Sequence, residues 1–272
     1  TTGEPKGVSL PVKALSCIEA YAEFAYDLRQ TDVFWNAADP GWAYGLYCGI
    51  LATLTTGTPA ILFEGGFSAQ ATIDIIEKQK ITNFAAAPTV YRSLRADGIE
   101  ISNRHKLRCL SSAGEPLTPE INEWAKSFFG LSVHDHYGQT ETSMVINNHH
   151  HPDLKTKLRD GSMGKVMPGW SATVLKNDQD IPEKPGVPGR VAFIVDESPF
   201  FWFAGYIGNP KKSAEKYSKD KRYYLTGDTG SVDNDGYYYF STRDDDVIIM
   251  AGYRIGPFEV ESALSTHDAV AE

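Results

Sequence analysis

The chain has 272 residues, enough to bury a substantial core, and its 42% hydrophobic and 22% charged content is ordinary for a globular protein. A net charge of -9 argues against nucleic acid as a partner, which demands a basic surface. No apolar run reaches the roughly 18–20 residues that span a bilayer and no signal peptide opens the chain, while Cys17, Cys48 and Cys109, without metal-like spacing, read as core thiols of a reducing, cytoplasmic compartment.

The opening run Thr1-Thr2-Gly3-Glu4-Pro5-Lys6-Gly7 is rich in hydroxyls and glycine and carries one lysine. Such a loop can offer N–H groups, hydroxyls and a point charge to phosphate oxygens; an ordinary turn is the alternative. The spacing of a Walker A loop is absent. From 59 to 137, short apolar runs at 59–64, 81–87, 107–113 and 131–137 alternate with helix-like stretches near 69–79, 89–97 and 118–129. Ile73, Ile76 and Lys80 sit at i, i+3 and i+7, Pro88 suits a first helical turn, and Thr118 precedes Pro119 as an N-cap would.

This alternation predicts a parallel sheet flanked by helices, whose ligands bind beyond the carboxyl ends of the strands. Those ends read Ala87-Pro88, Gly114-Glu115-Pro116 and Tyr137-Gly138-Gln139-Thr140-Glu141, so one edge is expected to gather the site. There Tyr137 can stack on a flat base, Thr140 can donate to a phosphate and Glu141 can hold a hard cation; a solvated turn is the alternative. His134 and His136, on the same strand, are expected to pack, and His149-His150-His151 to form an exposed loop.

After residue 160 short strands at 172–175, 190–194, 223–225 and 237–241, separated by turns such as Asn234-Asp235-Gly236, predict a small antiparallel barrel or sheet. The aromatic run 200–203 is expected to pack inside it. Asp228, after Thr226 and Gly227, ends one strand with a carboxylate suited to a vicinal diol, a plain hairpin being the alternative. A charged break at 242–246 precedes an apolar strand at 247–250, flanked by Arg243 and Arg254. The fold class expected is therefore α/β. Residues 1–158 form a sheet subdomain that starts with the phosphate loop, 159–242 a β-barrel-like subdomain, and 243–272 a hinge and the beginning of a small α+β C-terminal domain.

Taken in order, the opening loop, Gly114-Glu115-Pro116, the 137–142 run, the 224–228 run and the stretch from Arg243 to Glu261 resemble the motif series of the adenylate-forming superfamily. That superfamily includes acyl-CoA synthetases, luciferases and the adenylation domains of peptide synthetases. Asp39-Pro40-Gly41-Trp42, Phe63-Glu64-Gly65 and the 252–257 run look most similar to medium-chain acyl-CoA synthetases and acetyl-CoA-synthetase-like proteins.

The resemblance implies ATP-dependent activation of a short- to medium-chain or aromatic carboxylic acid through an acyl-adenylate, with Mg²⁺, and transfer to the thiol of CoA. It implies that Thr1, Thr2, Gly3 and Lys6 embrace the β- and γ-phosphates. Gly114, Glu115 and Pro116 line the adenine, Tyr137 lies against its ring, and Gly138 and Gln139 complete the nucleotide contacts. Thr140 meets the α-phosphate, Glu141 ligates Mg²⁺, Asp228 and Arg243 hold the ribose, and Arg254 reaches the phosphate; Thr140, Glu141 and Arg254 are thus the catalytic set. Asp245 resembles the hinge, Gly252 lies near the CoA arm, and Trp42 lines the acyl pocket.

Acetyl-CoA synthetases place a tryptophan where Gly138 stands, so glycine is expected to leave the pocket open and an indole grown from 138 to close it. No lysine follows Lys221, so the family's C-terminal adenylation lysine is absent. The chain, which begins inside a motif, is expected to be an inactive segment of a longer enzyme. Delivery to a carrier-protein thiol, or a noncatalytic nucleotide- or acyl-binding protein on the same scaffold, are the alternative readings.

Overall fold

The computed structural model describes residues 6–102, 105–243, 248–250, 253–255, 260 and 264, with 248–250 and 253–255 described as backbone alone. After α1 (Val12–Phe24), strand β1 (Phe34–Asn36) leads to a π-helical segment (Gly45–Leu51) continued by α2 (Ala52–Thr56). Then β2 (Ala60–Ile61), α3 (Ala69–Lys78), β3 (Asn83–Ala86), α4 (Pro88–Ala96), β4 (Cys109–Ala113), α5 (Pro119–Phe129) and β5 (Val133–Gln139) alternate along the chain. The five strands are parallel, with β1 between β2 and β3, followed by β4 and β5.

The three predicted helices form because each presents one apolar stripe to the sheet. Ile73 and Ile76 of α3, Tyr91 and Leu94 of α4, and Ile121, Ala125 and Phe129 of α5 pack with Trp35, Phe84 and Leu110 in one core. Pro88 and Pro119 occupy first helical turns, where the missing N–H costs nothing. Ser68 caps α3, its hydroxyl accepting from Ala71 N at 3.3 Å. Thr118 is extended, as a cap must be, but its side chain makes no capping bond.

One carboxylate ties the amino ends of the parallel strands together. Asp32, 2% exposed, precedes β1. It accepts from Arg29 N at 2.9 Å, from Thr82 Oγ1 before β3 at 2.7 Å, and from Arg108 Nε before β4 at 2.7 Å. Burial alone would raise this carboxyl, but Arg108, Thr82 and Arg29 together hold it below the usual carboxylate range. The opposite ends of the strands are left to carry loops.

The chain then reverses. β6 (Ser143–Asn147) returns antiparallel along β5, and β7 (Ser162–Val166), β8 (Ala172–Leu175), β9 (Gly189–Ile194), β10 (Tyr223–Val232) and β11 (Tyr238–Arg243) are all antiparallel to their neighbours. They extend the parallel half into one sheet of order β2-β1-β3-β4-β5-β6-β7-β11-β10-β9-β8. A short helix, α6 (Pro210–Glu215), precedes β10. A separate hairpin joins β12 (Ile248–Met250) to β13 (Tyr253–Ile255), with Arg254 opposite Ile249. Trp202 and Phe203 are buried in the core with Phe193 and Tyr224, the packing role expected of the aromatic run. No helix among the described residues is long and apolar enough to cross a membrane.

The histidine run differs from expectation. His149 and His150 are buried, 5% and 8% exposed, because their segment folds back across the sheet: His150 N donates to Ala25 O at 3.0 Å and His151 N to Phe24 O at 3.2 Å. The His150 ring stacks on His134 with centroids 3.6 Å apart and hydrogen-bonds Leu110 O at 3.0 Å. His134 Nδ1 donates to Asn148 O at 2.7 Å, and His136 shares a 2.8 Å hydrogen bond with the Tyr21 hydroxyl. Burial disfavours the charged imidazoles, holding His134 and His149 at about 4 and pushing His136 and His150 well below the usual 6.5.

Neutral burial links this layer to pH. In the unfolded chain these histidines take up protons near 6.5, whereas the folded protein resists until about 4. Stability is therefore complete above the unfolded value and falls as pH drops through that window, by up to about 1.4 kcal/mol per histidine for each pH unit. Urea unfolding at pH 7.5 and pH 5 should show a clear loss at pH 5. A His134→Asn, His149→Asn double variant should lose measurably less between the same two points.

Candidate functional site

The carboxyl ends of β3, β4 and β5 open onto one edge, as the sequence predicted. β4 is followed by Gly114, whose φ of +98° suits glycine and turns the chain sharply. β5 is followed by Thr140 and Glu141, and Thr142 N donates back to Gln139 O at 3.1 Å as the strand reverses into β6. Gly138 pairs with Met144 across this reversal. A Cβ built there would lie 2.1 Å from Ser143 O and 2.5 Å from Met144 Cα. The expectation that a side chain at Gly138 projects into an acyl pocket is thereby corrected. An indole at 138 must displace the β6 backbone before it reaches open space.

The reversal brings β10 across the end of β5. Asp228, 7% exposed, accepts from the Tyr137 hydroxyl at 2.5 Å and from Gln139 Nε2 at 2.8 Å. Its backbone N–H donates to Thr226 Oγ1 at 3.1 Å, and Arg243 is its register partner on β11. Burial raises the Asp228 carboxyl, opposed by the Tyr137 hydroxyl and by Lys216 and Arg243. Burial and the adjacent Asp228 push the Tyr137 phenol well above its ordinary range, so it stays protonated and donates.

Glu141 lies on the other side of the same loop. Its Oε1 accepts from the Tyr206 hydroxyl at 2.5 Å, and the Tyr206 ring has Lys6 Nζ 5.3 Å from its centroid. The preceding Thr140 carbonyl accepts from the Tyr47 hydroxyl at 2.9 Å, which ties the loop to the π-helical segment. Lys216 Nζ donates to Thr226 O at 2.8 Å and lies 5.1 Å from the Tyr224 ring centroid. Gln139 Nε2 donates to the same Thr226 carbonyl at 2.8 Å. Burial lowers the Lys216 ammonium, an effect that Glu141 and Asp228 oppose.

Residues 1–195 match the family model described as AMP-binding enzyme. The chain belongs to the AMP-binding enzyme family. It is similar to the crystal structure of the Brucella canis acyl-CoA synthetase, 47% identical with a TM-score of 0.82, covering 100% of this chain and 49% of that one. An anthranilate CoA ligase, AuaEII, solved in complex with anthranoyl-AMP, is 27% identical with a TM-score of 0.87 over 100% of this chain and 51% of that one. The mitochondrial acyl-coenzyme A synthetase ACSM3 of Rattus norvegicus is 37% identical over 276 residues, which is 100% of this chain and 46% of the relative. The acetyl-coenzyme A synthetase of Bacillus subtilis is 35% identical, over 100% and 47%. The chain thus spans about half the length of the curated relatives it matches.

Of the residues that the AMP-binding resemblance singled out, Tyr137, Gln139, Glu141, Asp228 and Lys6 are joined to one another or through Tyr206 by the contacts above. Glu115 sits at the rim, where Arg92 Nη2 donates to it at 2.7 Å and Thr89 Oγ1 at 3.0 Å. Pro116 is half-buried beside it. Trp42 stands 73% exposed after the Asp39 turn, so within the described residues it encloses no pocket. Thr1, Thr2, Gly3, Asp245 and Gly252 lie outside the described residues, and Arg254 is described only as backbone in β13. Among the described residues no three His, Cys, Asp or Glu side chains gather as a metal cage. One carboxylate plus substrate phosphates is how Mg²⁺ is commonly held, and Glu141 fits that donor set.

Tyr47, Tyr206 and Lys216 had no signal in the sequence. Each is an isolated aromatic or lysine in a segment whose only local message is apolar packing or a helix end. If Asp228 holds a ribose diol, replacing it should weaken nucleotide binding. Hydrogen bonds to a charged group are each worth about 1.5–3 kcal/mol, so Asp228→Ala should weaken AMP binding by about tenfold or more in calorimetry. Unchanged affinity in a folded variant would remove Asp228 from the site.

Proposed function

We propose that the protein carrying this chain is an AMP-forming acyl-CoA synthetase: it activates a carboxylic acid with ATP through an acyl-adenylate and passes the acyl group to the thiol of CoA. The observation that carries the reading is the Tyr137–Gln139–Asp228 cluster beside Thr140 and Glu141, on a chain of the AMP-binding family. In this reading Asp228, with Arg243, receives the ribose hydroxyls, and Gly114, Glu115, Pro116, Tyr137, Gly138 and Gln139 border the adenine. Thr1, Thr2, Gly3 and Lys6 embrace the β- and γ-phosphates.

Attack of a carboxylate on the α-phosphorus brings two anions together. Catalysis therefore needs cations and aligned donors more than a general base. Thr140 donates to the α-phosphate, Lys6 and Arg254 supply positive charge, and Lys216 adds a third cation near Glu141 and Asp228. Glu141 would hold Mg²⁺, whose charge would offset that of the phosphates. Trp42 borders the acid, Gly252 the CoA arm, and Asp245 is the hinge between a large part (1–158 and 159–242) and the small domain that begins at 243.

The short- to medium-chain or aromatic range is the one the resemblance implies, and relatives named as acyl-CoA and anthranilate CoA ligases support it. Those names favour CoA over a carrier-protein thiol. Three buried, unpaired cysteines support a reducing compartment such as the cytoplasm.

ATP–pyrophosphate exchange by the full-length protein, across acids from acetate to benzoate, tests the reading. Exchange stimulated by at least one acid, followed by thioester formation with free CoA, is the expected result. No acid-dependent exchange would overturn it, and thioester formation only on a phosphopantetheinylated partner would shift the acceptor. Because proline holds φ near about −65°, Asp245→Pro in the same protein should preserve exchange while thioester formation falls at least about tenfold. Equal losses in both assays would place the hinge elsewhere.

A further inference from the structure

Tyr206 uses three different parts of itself at this edge. Its hydroxyl donates to Glu141 Oε1 at 2.5 Å. Its ring lies 5.3 Å from Lys6 Nζ and packs edge-on against Phe203 at 5.1 Å. Its backbone bridges Val8, and the next residue, Ile207, donates its N–H to Gly7 O at 2.8 Å. The residue is held from behind as well: Tyr206 N donates to Ser213 Oγ at 2.8 Å, and that hydroxyl donates to Asn209 O at 2.7 Å. At 7% exposure it has little freedom to leave.

We propose that Tyr206 is a positioning residue: its hydroxyl fixes the Glu141 carboxylate for a divalent cation, and its ring and backbone seat the Lys6–Val8 end of the phosphate loop beside that carboxylate. The proposal rests on the reading of Glu141 as a Mg²⁺ ligand. A carboxylate free to sample rotamers must be ordered when it takes a cation, and a hydrogen bond to one oxygen removes that cost in advance while leaving the other oxygen to ligate. An ordinary phenol ionises only at about pH 10, so at neutral pH the hydroxyl is a donor to the carboxylate. The Lys6–Val8 end of the phosphate loop and the carboxylate that would hold the cation are therefore referred to one side chain.

The test is ATP affinity of the full-length protein by calorimetry, in excess magnesium and in EDTA. Tyr206→Phe keeps the ring, its contact with Lys6 and the backbone bridge, and removes only the hydroxyl. It should weaken ATP binding in magnesium by about tenfold, equivalent to about 1.4 kcal/mol, and change binding in EDTA by less than about twofold. Glu141→Gln should lower the same magnesium-dependent part, and adding Tyr206→Phe to it should cost nothing further, because the two groups act through one contact. Tyr206→Leu, which also removes the ring, should in addition weaken ATP binding in EDTA.

Wild-type magnesium dependence in Tyr206→Phe, or fully additive losses in the double variant, overturns the hydroxyl's role. An unchanged EDTA affinity in Tyr206→Leu overturns the loop's. A wild-type protein that binds ATP equally with and without magnesium removes Glu141 as the ligand, and the proposal with it, whereas pyrophosphate exchange judges the adenylating activity separately. Thermal unfolding midpoints of the variants check that the fold survives.

Discussion

Tyr137 and Gln139 both direct their polar ends at Asp228, and that convergence exists only because the sheet changes direction one turn later. β5 is the last parallel strand. Its neighbour β6 returns antiparallel, and every later strand of the large sheet follows that sense. A ligand edge at the carboxyl ends of a parallel sheet is ordinarily walled by loops alone. Here the antiparallel half folds β10 over the end of β5, so a strand supplies the wall. Gly138 makes the close return of β6 along β5 possible, since any Cβ there would collide with the backbone of Ser143 and Met144.

The same reversal organises the charges. Thr226 O accepts from both Gln139 and Lys216, so a lysine from the segment before β10 is held beside two carboxylates. Each of those carboxylates meets a tyrosine hydroxyl, Asp228 through Tyr137 and Glu141 through Tyr206. Phenols that burial keeps protonated are donors that do not compete with cations for charge. They orient the carboxylates without neutralising them, which is what the proposed ribose and Mg²⁺ contacts would require.

At the far end of the strands the chemistry is of a different kind. Asp32 collects Arg29, Thr82 and Arg108 into a closed ion cluster that sets the relative positions of β1, β3 and β4. The buried histidines, stacked and hydrogen-bonded to backbone carbonyls, fasten α1 and the 148–151 segment to β4 and β5. Both devices brace the strands whose opposite ends carry Gly114 and Thr140.

Local pattern was sufficient for α3, α4 and α5, because an amphipathic stripe behind a proline or serine start is a property of a dozen neighbouring residues. β8 and β9 were legible between turn signals for the same reason, and the strand ends at Gly114 and Tyr137–Glu141 followed from the alternation. β1 was not: three consecutive buried residues carry no alternation, and only pairing with β2 and β3 makes them a strand. His149 and His150 looked solvated until α1 covered them. Gly138 seemed to open space for a substrate, whereas what occupies that space is the backbone of β6. Residue types and spacing therefore determined the family and the sheet edge that gathers its motif residues. Which side chains hold Asp228 and Glu141 in place was decided by contacts spanning 65 to 91 residues, and no local propensity encodes a partner that far along the chain.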